Sequence, residues 1–179
     1  MLLEDECHLL WGDACGRVWG KRNRPIEVFI TNERERQTYY GAVNLLTHEF
    51  HLKAFPAGKG ECTVAYLHWL RECHPGKRLI LLWDGASYHR DAQVRALLAQ
   101  ANAGLDEKDW QLICLPFAPN APDQNPVEDI WLQGKNYLRK HFAHNKTFAA
   151  VKTCFFQFLD HFRFDSVKFA WYCPDPQII

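Results

Sequence analysis

The chain lacks a Cys-x-x-Cys pair, a long apolar run and a surplus of charge of either sign. Each absence excludes something. Its seven cysteines (7, 15, 62, 73, 114, 154 and 173) are odd in number and without paired short spacing. That argues against a zinc knuckle and suits reduced, packed thiols. No stretch approaches the ~20 apolar residues of a membrane span, and no signal-peptide pattern opens the chain. The cytoplasm is therefore the expected location, and no membrane partner is expected. Lys and Arg number 21, as do Asp and Glu, for a formal net charge of zero. The chain thus lacks the basic excess of a protein that grips nucleic acid by charge alone. Internal repeats, low-complexity tracts and long linkers are also missing. What remains is 179 residues, 47% hydrophobic and 23% charged, enough for one globular domain with a substantial core.

The pattern along the chain alternates between strand and helix signals. Residues 2–11 read as a strand interrupted by acids, and "EVFIT" (27–31) as a short strand. Residues 37–46 and 49–55 read as a hairpin around Thr47 and His48. Residues 61–73 have Val64, Leu67 and Leu70 at helical spacing. The near-continuous apolar run 78–83 predicts a central strand covered on both faces. Asp91 caps a helix to about Gln100, and 110–115 form another buried strand. Asn125-Pro126 opens a helix with Asn as cap, and Phe148, Val151, Phe155, Phe158, Leu159 and Phe162 mark an amphipathic one. Three strands, helix, strand, helix, strand, then helices predict an α/β domain with a ribonuclease H-like mixed five-stranded sheet, antiparallel first and parallel afterwards. The core is expected over about 2–162, with a Pro-rich, aromatic tail at 163–179 that packs on its own core or on a partner.

Three acids stand at element edges. Asp84 ends the buried run "RLILLWDGASYHR", where a charge needs water, a partner or a metal; a turn-forming Asp beside Gly85 fits equally. Asp5 lies in "LLEDECHLL". Strand alternation puts Glu4 and Glu6 on one face and Leu3, Asp5 and Cys7 on the other, so Asp5 points to the apolar side; a frayed end would leave it in solvent. Glu128 suits a capping-box pair with Asn125. Lys135 and Arg139 follow it at offsets of seven (135 − 128) and eleven (139 − 128) on a stripe flanking the core, an order that suits metal first and phosphates next. Arg17, Lys21, Arg22 and Arg24 cluster early, and Lys135, Arg139 and Lys140 late; solvated faces explain both clusters from charge alone. Together, three carboxylates from different elements have the logic of a two-metal phosphodiester-cutting site.

The chain resembles the catalytic domain of bacterial insertion-sequence transposases of the mariner superfamily, DDE transposases with a ribonuclease H-like, retroviral-integrase-type core. "LPFAPNAPDQNPVEDIW" is similar to the family's Pro, aromatic, small, Pro and later Asn-Pro-apolar-Glu pattern with a terminal Trp. "LLWDGASYHR" resembles its strand-Asp segment with a downstream His, "LEDECHL" its first-acid segment and "GAVN" its second-strand motif. The resemblance spans about residues 2–142. It implies Asp5, Asp84 and Glu128 as the catalytic, metal-binding triad, holding two Mg²⁺ ions for which Mn²⁺ substitutes. It implies DNA (transposon ends and target DNA) as partner, homodimers on paired ends and insertion at TA. His89 matches the downstream His and is expected near DNA or the metal site, with an exposed loop His as the alternative. Lys135, Arg139 and Lys140 are expected DNA contacts. Asn120, Gln124 and Asn125 shape the turn before Glu128.

Three departures accompany the resemblance. Gly85 stands where the family often has Asn, and the Asp84–Glu128 gap of 44 (128 − 84) is somewhat long, with "LAQANAGLDEKD" as the insertion. Met1 lies almost on the first catalytic strand, where the family places a helix-turn-helix DNA-binding part upstream. The chain is accordingly expected to be the second frame of a frameshifted element or a truncated remnant, with that part separate or upstream. The rivals are a ribonuclease H-like nuclease without strand transfer and an inactive remnant serving DNA binding or assembly. A haloacid-dehalogenase-type loop at "LLWDGAS" lacks its second Asp, since Ala86 stands there. "HEFH" (48–51) and "HFAH" (141–144) have no matching Cys partners for a zinc site.

Overall fold

The computed structural model describes residues 1–15, 21–24, 35–118, 124–160 and 162–172. The strand expected at 27–31, Arg17, Asn120 and the residues beyond 172 lie outside them. The strands are β1 (Leu2–Leu10), β2 (Arg36–Asn44), β3 (Phe50–Phe55), β4 (Leu79–Trp83) and β5 (Leu112–Pro116). The helices are α1 (Gly60–Cys73), α2 (Ala92–Ala101), α3 (Val127–Lys140) and α4 (Phe148–Leu159). The strands form one mixed sheet in the order β3-β2-β1-β4-β5. β1 to β3 pair antiparallel, while β4 pairs parallel with β1 and β5. The expected ribonuclease H-like architecture is present. β1, far from fraying, is the middle strand.

Side-chain alternation divides the core between the two faces of the sheet. Leu3, Cys7 and Leu9 of β1 pack with Tyr39, Val43 and Phe50 against Ile130, Trp131 and Leu138 of α3 and Val151, Phe155 and Leu159 of α4. Leu2, Tyr40, Ala42, Leu79, Leu81 and Trp83 face Cys62, Tyr66, Leu67 and Leu70 of α1 and Val94 and Leu97 of α2. From Leu2 to Cys7 β1 is covered on both faces, so the acids there are forced inward. α2 starts as expected, with the Asp91 side chain accepting from Gln93 N–H. α3 starts one residue later than expected, but Asn125 still caps it, its Oδ1 accepting from Val127 N–H at 3.1 Å.

The described part of the tail, 163–172, packs on its own core. Phe164 and Phe169 are buried in the α3/α4 face, Arg163 bridges to Glu49, and Lys168 Nζ pairs with Asp129 Oδ2 of α3 at 2.7 Å. Two glycines permit close approaches. A Cβ on Gly134 would lie 2.6 Å from Phe155, so its absence lets α4 sit tightly on α3. A Cβ on Gly41 would strike the Phe50 ring and lie 2.5 Å from Trp131 Cη2. Gly41 pairs with Asp5 across the β1–β2 ladder, so it leaves Trp131 room to reach that acid.

Gly41→Ala is expected to displace Trp131 and to destabilise by about 1–3 kcal/mol. Gly12→Ala, where an added Cβ meets nothing within 4 Å, is the control. Thermal melting of the two variants checks this; equal Tm values would show that the close approach is not required.

Candidate active site

β1 presents its acids to opposite faces, and register decides what each meets. Leu2 pairs with Leu81 and Leu3 with Leu82, an offset of 79 (81 − 2). Continued along both chains, that offset sets Asp5 level with Asp84 just past the end of β4. The two strands are about 4.8 Å apart, and both residues have the parity of the α3/α4 face. Asn125 brings the third element in. While its Oδ1 caps α3, its Nδ2 donates to Glu4 O at 3.0 Å, pinning the helix start to the β1 backbone. Glu128 lies in the first turn of that helix, exposed.

Asp5 accepts a hydrogen bond from Trp131 Nε1 at 3.0 Å. Burial, then the charges of Glu6, Asp84 and Glu128, push its carboxyl up from 3.8 to about 8, against the Trp131 bond. Asp84 and Glu128 are thus both near enough for their charges to act on Asp5. Asp84, its side chain 52% exposed, is held differently. Its Oδ1 accepts from Ala86 N–H at 2.8 Å and lies 3.2 Å from His89 Nδ1. The His89 bond lowers its pKa, burial opposes, and the Ala86 bond adds to the lowering. Three carboxylates from β1, the end of β4 and the start of α3, one of them holding its proton against mutual repulsion, are a donor set suited to hard divalent cations.

The opposite face of β1 carries a second set. Glu4 and Glu6 point toward the 3₁₀ turn Ser87–Arg90, and His89 inserts between them and Asp84. The His89 ring is buried and stacks on Trp83 at 4.2 Å with a 4° interplanar angle. Burial opposes its charge, but the bonds to Asp84 and Glu6 and the glutamate charges win and push it up to about 10. Burial and the Glu6 charge raise Glu4 well above the ordinary carboxyl range. The alternation of Glu4 and Glu6 was legible in the sequence. Their burial was not drawn from it, although a two-sided cover over β1 entails it.

The charges of Asp84 and Glu128 reach Asp5, and His89 contacts Asp84, while Lys135 and Arg139 of the expected cations have partners of their own. His89 is at the acids, 5% exposed, rather than on an exposed loop. Lys135 Nζ pairs with Asp13 Oδ1 at 3.4 Å. Arg139 donates from Nε to Cys15 O at 3.2 Å and from Nη1 to Asn136 Oδ1 at 2.8 Å. Lys140 is exposed. The His51 and His74 rings meet edge to face, their centroids 4.7 Å apart. The role of Trp131 at Asp5 was missed, since its place on the apolar stripe reads as core alone.

The acid site makes metal-free stability depend on pH. Asp5 keeps its proton in the fold up to about 8, whereas the unfolded chain releases it near 3.8, so folding weakens as pH rises between those values. His89, raised to about 10, contributes stability that is likewise lost as pH rises through that value. In calorimetric melting the metal-free chain should be more stable at pH 5.5 than at pH 8.5. Asp5→Asn, which keeps an acceptor for Trp131, should raise Tm at pH 8.5 by roughly 5 °C or more. An unchanged Tm would contradict the strained carboxylate.

Comparison with known proteins bears on the family and the fold. The family model described as DDE superfamily endonuclease matches residues 1–149. No curated protein matches by sequence. The fold is similar to that of the Mos1 transposase in its paired-end complex with the left transposon end (16% identity, TM-score 0.61, covering 96% of this chain and 50% of that one). It is also similar to the catalytic domain of Mos1 mariner transposase (15%, TM-score 0.54, 96% and 73%) and to the BIV integrase catalytic core domain (14%, TM-score 0.50, 87% and 80%). The chain thus spans about half the length of the Mos1 transposase chain in that complex. Among the described residues no helix is long and apolar enough to cross a membrane. The match over residues 1–149 places the chain in the DDE superfamily of endonucleases.

Proposed function

We propose that this chain is the catalytic unit of a cut-and-paste DNA transposase of the mariner kind, with Asp5, Asp84 and Glu128 holding two Mg²⁺ ions. The observation that carries the reading is the β1–β4 register, which levels Asp5 with Asp84 while the Glu128 charge is felt at Asp5. When bound, the metals supply an activated water or 3′-hydroxyl and neutralise the leaving oxygen of an in-line displacement. The chain's own residues supply placement. Trp131 orients the Asp5 carboxylate, Ala86 N–H and His89 fix Asp84, and Asn125 sets the helix that presents Glu128. Cleavage at a transposon end followed by joining to target DNA then needs only DNA presented to one site.

The DNA contacts divide by what each cation already does. Lys140 is placed to meet phosphate, whereas Lys135 and Arg139 would have to leave Asp13, Asn136 and the Cys15 carbonyl. His89, buried, serves Asp84 rather than DNA. With a formal net charge of zero, the isolated chain binds DNA weakly and without sequence preference. A separate or upstream helix-turn-helix part would recognise the ends, and a homodimer would pair them. Nanomolar binding of the isolated chain to its element's terminal repeats at physiological salt would sink this division of labour.

Glu128→Gln should lower Mg²⁺-dependent strand cleavage by on the order of 1,000-fold or more, about 4 kcal/mol of transition-state stabilisation. The circular dichroism spectrum should not change. Retained cleavage would reduce Glu128 to a helix-start residue, and cleavage by the parent without joining would favour a nuclease that performs no strand transfer.

A further inference from the structure

Glu4 is a buried carboxyl group whose hydrogen-bonding capacity is unmet. It is 1% exposed, and neither carboxylate oxygen has a hydrogen-bond partner. Its neighbours point to what is missing. Glu4 Oε2 lies 3.7 Å from His89 Nε2, and Glu6 Oε1 lies 3.0 Å from the same nitrogen. One ligand atom from each of the three residues falls within 4.8 Å of the others. A tetrahedral ion about 2.1 Å from each ligand separates them by about 3.4 Å, so small side-chain shifts would close the set.

We propose that Glu4, Glu6 and His89 form a buried site for one borderline divalent cation such as Zn²⁺, distinct from the Asp5–Asp84–Glu128 triad on the opposite face of β1. Two features favour a cation over a simple buried network. Orientation is the first. His89 Nδ1 faces Asp84, 3.2 Å from its Oδ1 and 3.1 Å from its backbone oxygen, which turns Nε2 toward the glutamates. A metal-binding histidine is oriented in this way by a carboxylate on its other nitrogen. Donor chemistry is the second, since one imidazole nitrogen and two carboxylates suit Zn²⁺ better than Mg²⁺. Such an ion would clamp β1 to the turn after β4 and thereby hold Asp84 beside Asp5.

The test uses the full chain carrying Glu128→Gln, which disrupts the triad and leaves this cluster intact. After incubation with Zn²⁺ and desalting, elemental analysis should find about one Zn²⁺ per chain, and Zn²⁺ should raise Tm where Mg²⁺ does not. Adding Glu4→Gln should remove both the retained metal and the Tm shift, with the circular dichroism spectrum unchanged. If that variant does not fold, Glu6→Gln in the same background is read instead. Absence of retained Zn²⁺ in the Glu128→Gln chain would overturn the proposal, as would Zn²⁺ retained equally after the glutamate substitution. Cleavage activity enters neither arm, so failure here leaves the transposase reading untouched.

Discussion

Three consecutive carboxylates, Glu4, Asp5 and Glu6, run through the middle strand of a sheet covered by helices on both faces. Burying charge is among the most expensive acts in folding, and much of the surrounding structure answers it. Trp131 donates to Asp5, and Gly41 gives up its side chain so that the indole fits. His89, stacked on Trp83, enters among Glu4, Glu6 and Asp84. Asn125 separately ties the start of α3 to the Glu4 backbone carbonyl.

Alternation along β1 turns one constraint into two environments. On the α3/α4 side Asp5 faces the half-exposed Asp84 and the exposed Glu128. On the α1/α2 side the glutamates and His89 are closed off. On the open side burial and neighbouring carboxylates raise the Asp5 carboxyl, a perturbation common where acids gather for chemistry. His89 links the two sides, since one ring nitrogen faces Asp84 and the other Glu6.

Much of this was legible in the chain itself. The apolar run before Asp84, the alternating acids before Leu9 and the Asn-Pro start of α3 identified the elements and the side of β1 that Asp5 faces. Their order predicted the sheet. What the pattern could not supply was long-range geometry. Trp131 reads as one more apolar residue until it is seen 126 positions from its acceptor. Lys135 and Arg139 read as a basic stripe until Asp13 and the Cys15 carbonyl are placed against them. His89 reads as a loop residue until the turn after β4 folds it inward. Such pairings depend on tertiary contacts that local periodicity does not encode.

The most direct test of the central claim is anomalous X-ray scattering from crystals of this chain grown with Mn²⁺ in place of Mg²⁺. The account predicts Mn²⁺ coordinated by Asp5 and Asp84, with Glu128 completing the site. Well-ordered crystals with Mn²⁺ bound elsewhere, and none among those three carboxylates, would contradict it.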